Sequence, residues 1–222
     1  MNDQVFFDFD GTIANSERGI IHSVKKMVDE LQLPHLTDEQ YRLFIGPTLA
    51  DSLTKFFPSL SEKQVSDSIA KYREEYESHG LFDLEIYSGI ESALTTLKTA
   101  GYRLNIASAK PEPVLRQIID KFQLNDYFGG IYGAAIEDPV RIKKVDILAY
   151  GIETSGALPT RSVMVGDRYT DMIGGKKNHV KTLGVTYGFG DTAELKASNA
   201  TALVTSPEEI PAGVEKLFGK LV

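Results

Sequence analysis

The sequence predicts an α/β fold, a parallel sheet with helices on both faces, with a block of helices inserted after its first strand. Three observations predict it. After Tyr87-Ser88-Gly89 short apolar runs alternate with helical patterns, which implies right-handed crossovers and a parallel sheet. Residues 15–83 carry helical periodicity and no convincing strand. The apolar run Val5-Phe6-Phe7 precedes that block and belongs to the later sheet. The expected division is therefore residues 1–14 and 86–222 as an α/β core, with 15–85 as a helical cap.

The elements follow in order. Val5–Phe7 reads as a buried strand. Residues of about 16–31 read as a helix with Ile20, Ile21, Val24, Met27, Val28 and Leu31 on one apolar face. Thr37 with Gln40 and Ser61 with Gln64 are capping boxes that start two further helices. The second leads a face of Val65, Ile69, Tyr72 and Tyr76. Between them Phe44-Ile45-Gly46-Pro47-Thr48-Leu49 stops one helix before another begins at about Ala50. A helix through Leu94 and Leu97 ends at Gly101. Strands are expected at Leu104–Ala107, Ile131–Gly133, Val163–Val165, Leu183–Thr186 and Ala202–Val204.

Composition narrows the class. The 222 residues suffice for a sizeable core, and 42% hydrophobic with 25% charged residues is ordinary for a globular protein. No cysteine is present, which excludes disulfides, thiolate metal sites and cysteine nucleophiles. A net charge of −7 without a basic stripe argues against nucleic-acid polymers. No apolar run approaches the ~20 residues of a membrane helix, and no basic and apolar leader opens the chain. The expectation is a cytoplasmic protein, a monomer or homodimer, that does not engage membranes.

The chemistry gathers where strands end. Asp8-Phe9-Asp10-Gly11-Thr12 follows the first strand and sets two carboxylates two residues apart, on one face if the strand continues. Like charges buried side by side call for a cation or a proton. In open parallel sheets sites form at the carboxyl ends of strands, so polar residues should follow other strands too. Ser108, Ala109 and Lys110 follow Leu104–Ala107, and Gly166-Asp167-Arg168-Tyr169-Thr170-Asp171 follows Val163–Val165. Lys143 and Lys144 open a helical pattern upstream of the latter strand. A hydroxyl with backbone N–H groups can hold phosphoryl oxygens, a lysine can neutralise charge, and carboxylates can complete an oxygen-ligated Mg²⁺ site.

These residues resemble the haloacid dehalogenase superfamily, specifically its phosphatases with a helical cap inserted after the first motif, on a Rossmann-like core. Asp8-Phe9-Asp10-Gly11-Thr12 matches the first motif and Ser108 the second. Lys144 best matches the third, with Lys143 as the alternative, and Gly166 through Asp171 match the fourth. The resemblance implies an Mg²⁺-dependent phosphoric monoester hydrolase acting on a small phosphorylated substrate. Asp8 would be the nucleophile that forms an aspartyl-phosphate, and Asp10 the acid and then the base. Mg²⁺ would be held by Asp8, Asp167, the Asp10 backbone carbonyl and Asp171, the last directly or through water. Thr12, Ser108, the Ala109 amide and Lys144 would bind the phosphoryl group.

The presence of Asp10 disfavours dehalogenases and phosphonate hydrolases of the family. A sugar-phosphate phosphomutase needs the same pair, and a non-catalytic phosphoryl-binding or regulatory protein is the alternative of another class. The cap resembles those of proteins labelled phosphoglycolate phosphatases or 5′-nucleotidases, at Phe44 to Leu49 and Tyr87 to Ile90. Gly46 could place a helix N-terminus near substrate. Arg18, Lys110 and Arg168 could reach a second anionic group, although surface solvation is the expected fate of each. His179 stands where relatives carry glycine, which predicts a positive φ there.

Overall fold

A computed structural model describes residues 3–135 and 140–219. The strands are β1 (Gln4–Phe7), β2 (Ala14–Asn15), β3 (Glu85–Ile86), β4 (Arg103–Pro111), β5 (Phe128–Ala134), β6 (Ser162–Gly166), β7 (Lys181–Val185) and β8 (Ala202–Val204). The helices are α1 (Glu17–Glu30), α2 (Asp38–Arg42), α3 (Leu49–Phe56), α4 (Glu62–Glu75), α5 (Ile90–Thr99), α6 (Glu112–Lys121), α7 (Lys144–Ser155), α8 (Tyr169–Lys177), α9 (Thr192–Ala197) and α10 (Ile210–Leu217). The chain divides into two compact units, Met1–Ala14 with Ile86–Val222, and Asn15–Glu85.

In the first unit the strands order as β5-β4-β1-β6-β7-β8, all parallel. The chain builds outward from β1 through β4 to β5, then returns to β6 and builds the other way. The strand order therefore reverses beside β1, and the crevice at the carboxyl ends of β1 and β6 is where such sheets bind ligands. Helices cover the sheet, so its strands are apolar on both faces. On one face Phe6, Ala107, Tyr132, Met164, Ile147 and Leu148 pack into one buried cluster, which lays α7 over the sheet and points its first residue, Lys144, at the strand ends.

The second unit is helical. Both capping boxes form, at Thr37 with Gln40 and at Ser61 with Gln64. α1 buries Ile20, Val24, Met27 and Val28, as its spacing predicts. The expected face of α4 is only half-buried at Val65, Ile69 and Tyr72, and Tyr76 falls in a π-helical turn, Tyr76–Gly80. That turn meets α1 backbone to backbone, because neither Gly19 nor Gly80 has room for a Cβ. Among the described residues no helix is long and apolar enough to cross a membrane.

β4 runs to Pro111, past the Ala107 expected from its apolar run. Ala107 pairs with Tyr132 and Pro111 with Ala134, so four steps on β4 oppose two on β5. The surplus bulges out at the strand end and carries Ser108, Ala109 and Lys110 with it. His179 does adopt φ 58° in the turn before β7.

Candidate active site

β1 stops at Phe7, so Asp8 and Asp10 sit in a tight loop and not on a continuing strand. The loop turns on one acceptor: the Phe9 carbonyl takes the N–H groups of Thr12, Ile13 and Ala14 at 3.3, 2.9 and 3.0 Å. Gly11 has φ +80°, and a Cβ there would run into the Asp167 carboxylate and the Phe189 ring. Only glycine fits both demands. The Asp8 amide donates to Val165 at 2.8 Å, which ties this loop to the end of β6.

Asp167 follows β6, and Asp171 lies in the first turn of α8. Asp8, Asp167 and Asp171 are buried, and each offers a carboxylate oxygen within 4.8 Å of the others. Lys144 Nζ lies 2.6 Å from Asp8 Oδ1 and 2.8 Å from Asp171 Oδ1, and donates to the Ala107 carbonyl at 2.9 Å. Lys143 is exposed, so Lys144 is the lysine of the site.

Electrostatics mark the cluster as unbalanced. Burial, then the charges of Asp171 and Asp8, push the Asp167 carboxyl well above the usual carboxylate range. Burial pushes Asp171 up to about 6 despite the pull of Lys144. For Lys144 burial works against the charged form, but Asp171 and Asp8 outweigh it and raise the ammonium to about 12. With Asp10 included, four carboxylates gather here, and three of them, Asp8, Asp171 and Asp10, meet the ammonium groups of Lys144 and Lys110. Hard oxygen donors and an excess of buried negative charge together fit a divalent cation such as Mg²⁺.

The surroundings fix these groups. Asp167 Oδ2 accepts the Phe189 amide at 2.7 Å, and the Asp171 carboxylate caps α8 by accepting the Arg168 amide at 3.0 Å. Gly188 and Gly190 let the loop after β7 close on Asp167, since a Cβ at either would strike Gly11 or Asp167. Tyr187 donates to the Thr12 carbonyl at 2.7 Å, with its phenol pushed up mainly by burial. This loop and Glu194 escape a motif reading; the paired glycines flanking Phe189 were the only signal.

Of the residues expected from sequence, the first unit contains Asp8, Asp10, Thr12, Ser108, Ala109, Lys110, Lys144, Asp167 and Asp171. Ser108 is buried beside the carbonyl that anchors Lys144. The Thr12 hydroxyl is fully buried and donates to Asp167 at 3.4 Å, which makes it a support for that carboxylate. Surface solvation is wrong for two residues. Lys110 is buried with Nζ 3.2 Å from Asp10 Oδ1, and Arg168 is buried with Nε 2.8 Å from Glu194. The same Glu194 oxygen accepts the Tyr169 amide at 2.8 Å. Arg18 and Gly46 belong to the second unit. Arg18 is exposed and pairs with Asp83 and Glu85 at 3.0 and 3.3 Å, while Gly46 takes φ +106° in the turn before α3.

Comparison with known proteins bears on this geometry. Residues 5–185 match the family model described as haloacid dehalogenase-like hydrolase. A crystal structure of a predicted phosphatase from Clostridium acetobutylicum superposes with a TM-score of 0.92 at 32% identity, covering 97% of this chain and 99% of that one. A 5′-nucleotidase of Pseudomonas aeruginosa is 30% identical over 197 residues, 89% of this chain and 88% of its own. The tyrosine-protein kinase PtkA of Mycobacterium tuberculosis is 34% identical over 201 residues, 90% of this chain and 67% of its own.

Proposed function

The chain belongs to the haloacid dehalogenase-like hydrolase family, and on that premise we propose that it is an Mg²⁺-dependent phosphomonoesterase working through an aspartyl-phosphate at Asp8. The observation that carries the reading is the Asp8 carboxylate, buried, held 2.6 Å from Lys144 and grouped with Asp167 and Asp171. A surface Asp-Gly turn would show none of this.

In the proposed reaction an Asp8 oxygen attacks phosphorus and the bond to the ester oxygen breaks. Asp10 gives its proton to the departing alkoxide. Asp10 then takes a proton from water as the water oxygen attacks the acyl phosphate, which returns the Asp8 carboxylate and releases phosphate. The Ser108 hydroxyl and Ala109 amide, at the bulged end of β4, would hold phosphoryl oxygens. Lys144 would face the same charge from the Asp8 side. A divalent cation held by Asp8, Asp167, Asp171 and the Asp10 carbonyl would add positive charge against the phosphoryl oxygens and relieve the carboxylate repulsion.

Phosphoglycolate and nucleoside 5′-monophosphates are the substrates we propose first, the latter supported by the similarity to a 5′-nucleotidase. A kinase reading rests on a relative's name alone. A proton carrier two residues from the nucleophile suits release of the phosphoryl group to water.

An assay with 4-nitrophenyl phosphate tests the reading. Turnover is expected with Mg²⁺, is lost in EDTA, and falls by about a thousandfold or more in Asp8→Asn with the melting temperature retained. No turnover with Mg²⁺, Mn²⁺ or Co²⁺, or undiminished turnover in Asp8→Asn, would overturn it.

A further inference from the structure

Lys110 is a buried cation that the phosphoryl-transfer steps do not use. Its side chain is 5% exposed, and Nζ lies 3.2 Å from Asp10 Oδ1. Two features hold it there. Its own amide donates to Ser108 Oγ at 3.4 Å, within the bulge that ends β4. Across the bulge, Gly133 of β5 lacks the Cβ that would press on the Lys110 carbonyl at 2.7 Å and on the Glu112 backbone at 2.5 Å. The lysine backbone is thus fixed by strand packing, and its ammonium is delivered to the residue that handles the leaving group.

We infer that Lys110 selects substrates whose leaving group carries its own anionic group, a carboxylate or a phosphoryl, one or two atoms from the scissile ester oxygen. The inference rests on the phosphatase reading above. An ester oxygen that takes a proton from Asp10 lies about 2.8 Å from that carboxyl. The Lys110 ammonium, 3.2 Å from Asp10 Oδ1, then lies within about 6 Å of the ester oxygen when that same carboxyl oxygen donates. A carboxylate on the adjacent carbon spans such a gap, whereas a neutral alcohol offers the ammonium no opposite charge. A buried charge acts strongly over this distance because little water screens it. The charge of the ammonium, and not a vacant donor, is what the leaving group meets.

This places the specificity element in the same bulge that carries Ser108 and Ala109. The strand end would grip the phosphoryl group with one residue pair and the leaving group with the next residue. It also narrows the substrates proposed above, favouring phosphoglycolate, whose carboxylate sits next to the ester carbon, over nucleoside monophosphates, whose leaving group is neutral.

The test compares 2-phosphoglycolate with 2-hydroxyethyl phosphate, which replaces the carboxylate by a neutral CH₂OH, with 4-nitrophenyl phosphate as the baseline. Wild type should prefer phosphoglycolate in kcat/KM by about tenfold or more. Lys110→Met should bring the ratio near one, mainly through a higher KM for phosphoglycolate, and Lys110→Arg should restore part of it. A lysine that only orients Asp10 would lower both substrates together and leave the ratio intact, which overturns the inference. A wild-type ratio near one overturns it as well, whether or not Lys110→Met folds. Silence toward all three compounds with Mg²⁺ would instead overturn the phosphatase reading itself.

Discussion

At the amino end of the core sheet Asp3 meets Arg161 at 2.8 Å, and the buried Asn105 donates to Gln4 at 2.9 Å. Gln4 and Arg103 in turn donate to the Ser155 carbonyl at 3.4 and 3.3 Å. At the carboxyl end four carboxylates crowd against two lysines, and burial drives the Asp167 and Asp171 carboxyls upward. Both ends belong to the same strands and both bury polar groups. One end pairs its buried acid, Asp3, with an arginine, and the other keeps an excess of negative charge. Buried like charge costs stability, so the excess is better explained by chemistry than by folding.

Removing one charge from the crowded end should separate the two requirements. Asp167→Asn should lower kcat/KM by at least about a hundredfold. In EDTA at neutral pH it should raise the melting temperature by about 3 °C, for roughly 1 kcal/mol of relieved repulsion. The sign follows from linkage. The folded-state pKa of Asp167 is raised, so its stabilising contribution is complete below about pH 4 and is lost as pH rises through the raised value. The advantage of the variant should therefore vanish near pH 4 and grow toward neutrality, in melting curves taken across that range. Added Mg²⁺ should raise the melting temperature of wild type more than that of the variant. A variant less stable than wild type in EDTA at neutral pH would break the contrast between the two ends.

The amino end should respond in the opposite sense and weakly. Arg161 is about half exposed, which limits the pair to about 0.5–1 kcal/mol. Asp3→Asn should lower the melting temperature by about 2 °C, independent of Mg²⁺, with kcat/KM unchanged. A loss of activity comparable to that of Asp167→Asn would show that the two ends are not distinct.

The alternation of apolar runs with helical periods made the sheet legible in sequence, and both capping boxes were legible for the same local reasons, while the left-handed His179 was legible only from the glycine that relatives carry there. Local rules could not give the extension of β4 to Pro111, because the bulge interrupts the pattern that marks a strand. Nor could they choose between Lys143 and Lys144, neighbours at a helix start whose directions depend on how α7 lies on the sheet. Lys110 and Arg168 read as surface residues because their partners, Asp10 and Glu194, are distant in sequence and meet them only after folding. The motifs named the chemistry, and long-range packing decided which charges were buried with it.

The central claim is that Asp8 itself carries the phosphoryl group. Asp10→Asn removes the carboxyl proposed to carry the proton and should slow hydrolysis of the intermediate. Acid-quenched Asp10→Asn, mixed with Mg²⁺ and 4-nitrophenyl phosphate, should show by mass spectrometry one added phosphoryl group, located on the peptide containing Asp8. Turnover by this variant with no phosphoryl group on that peptide at any quench time, or with the group on another residue, would contradict the account.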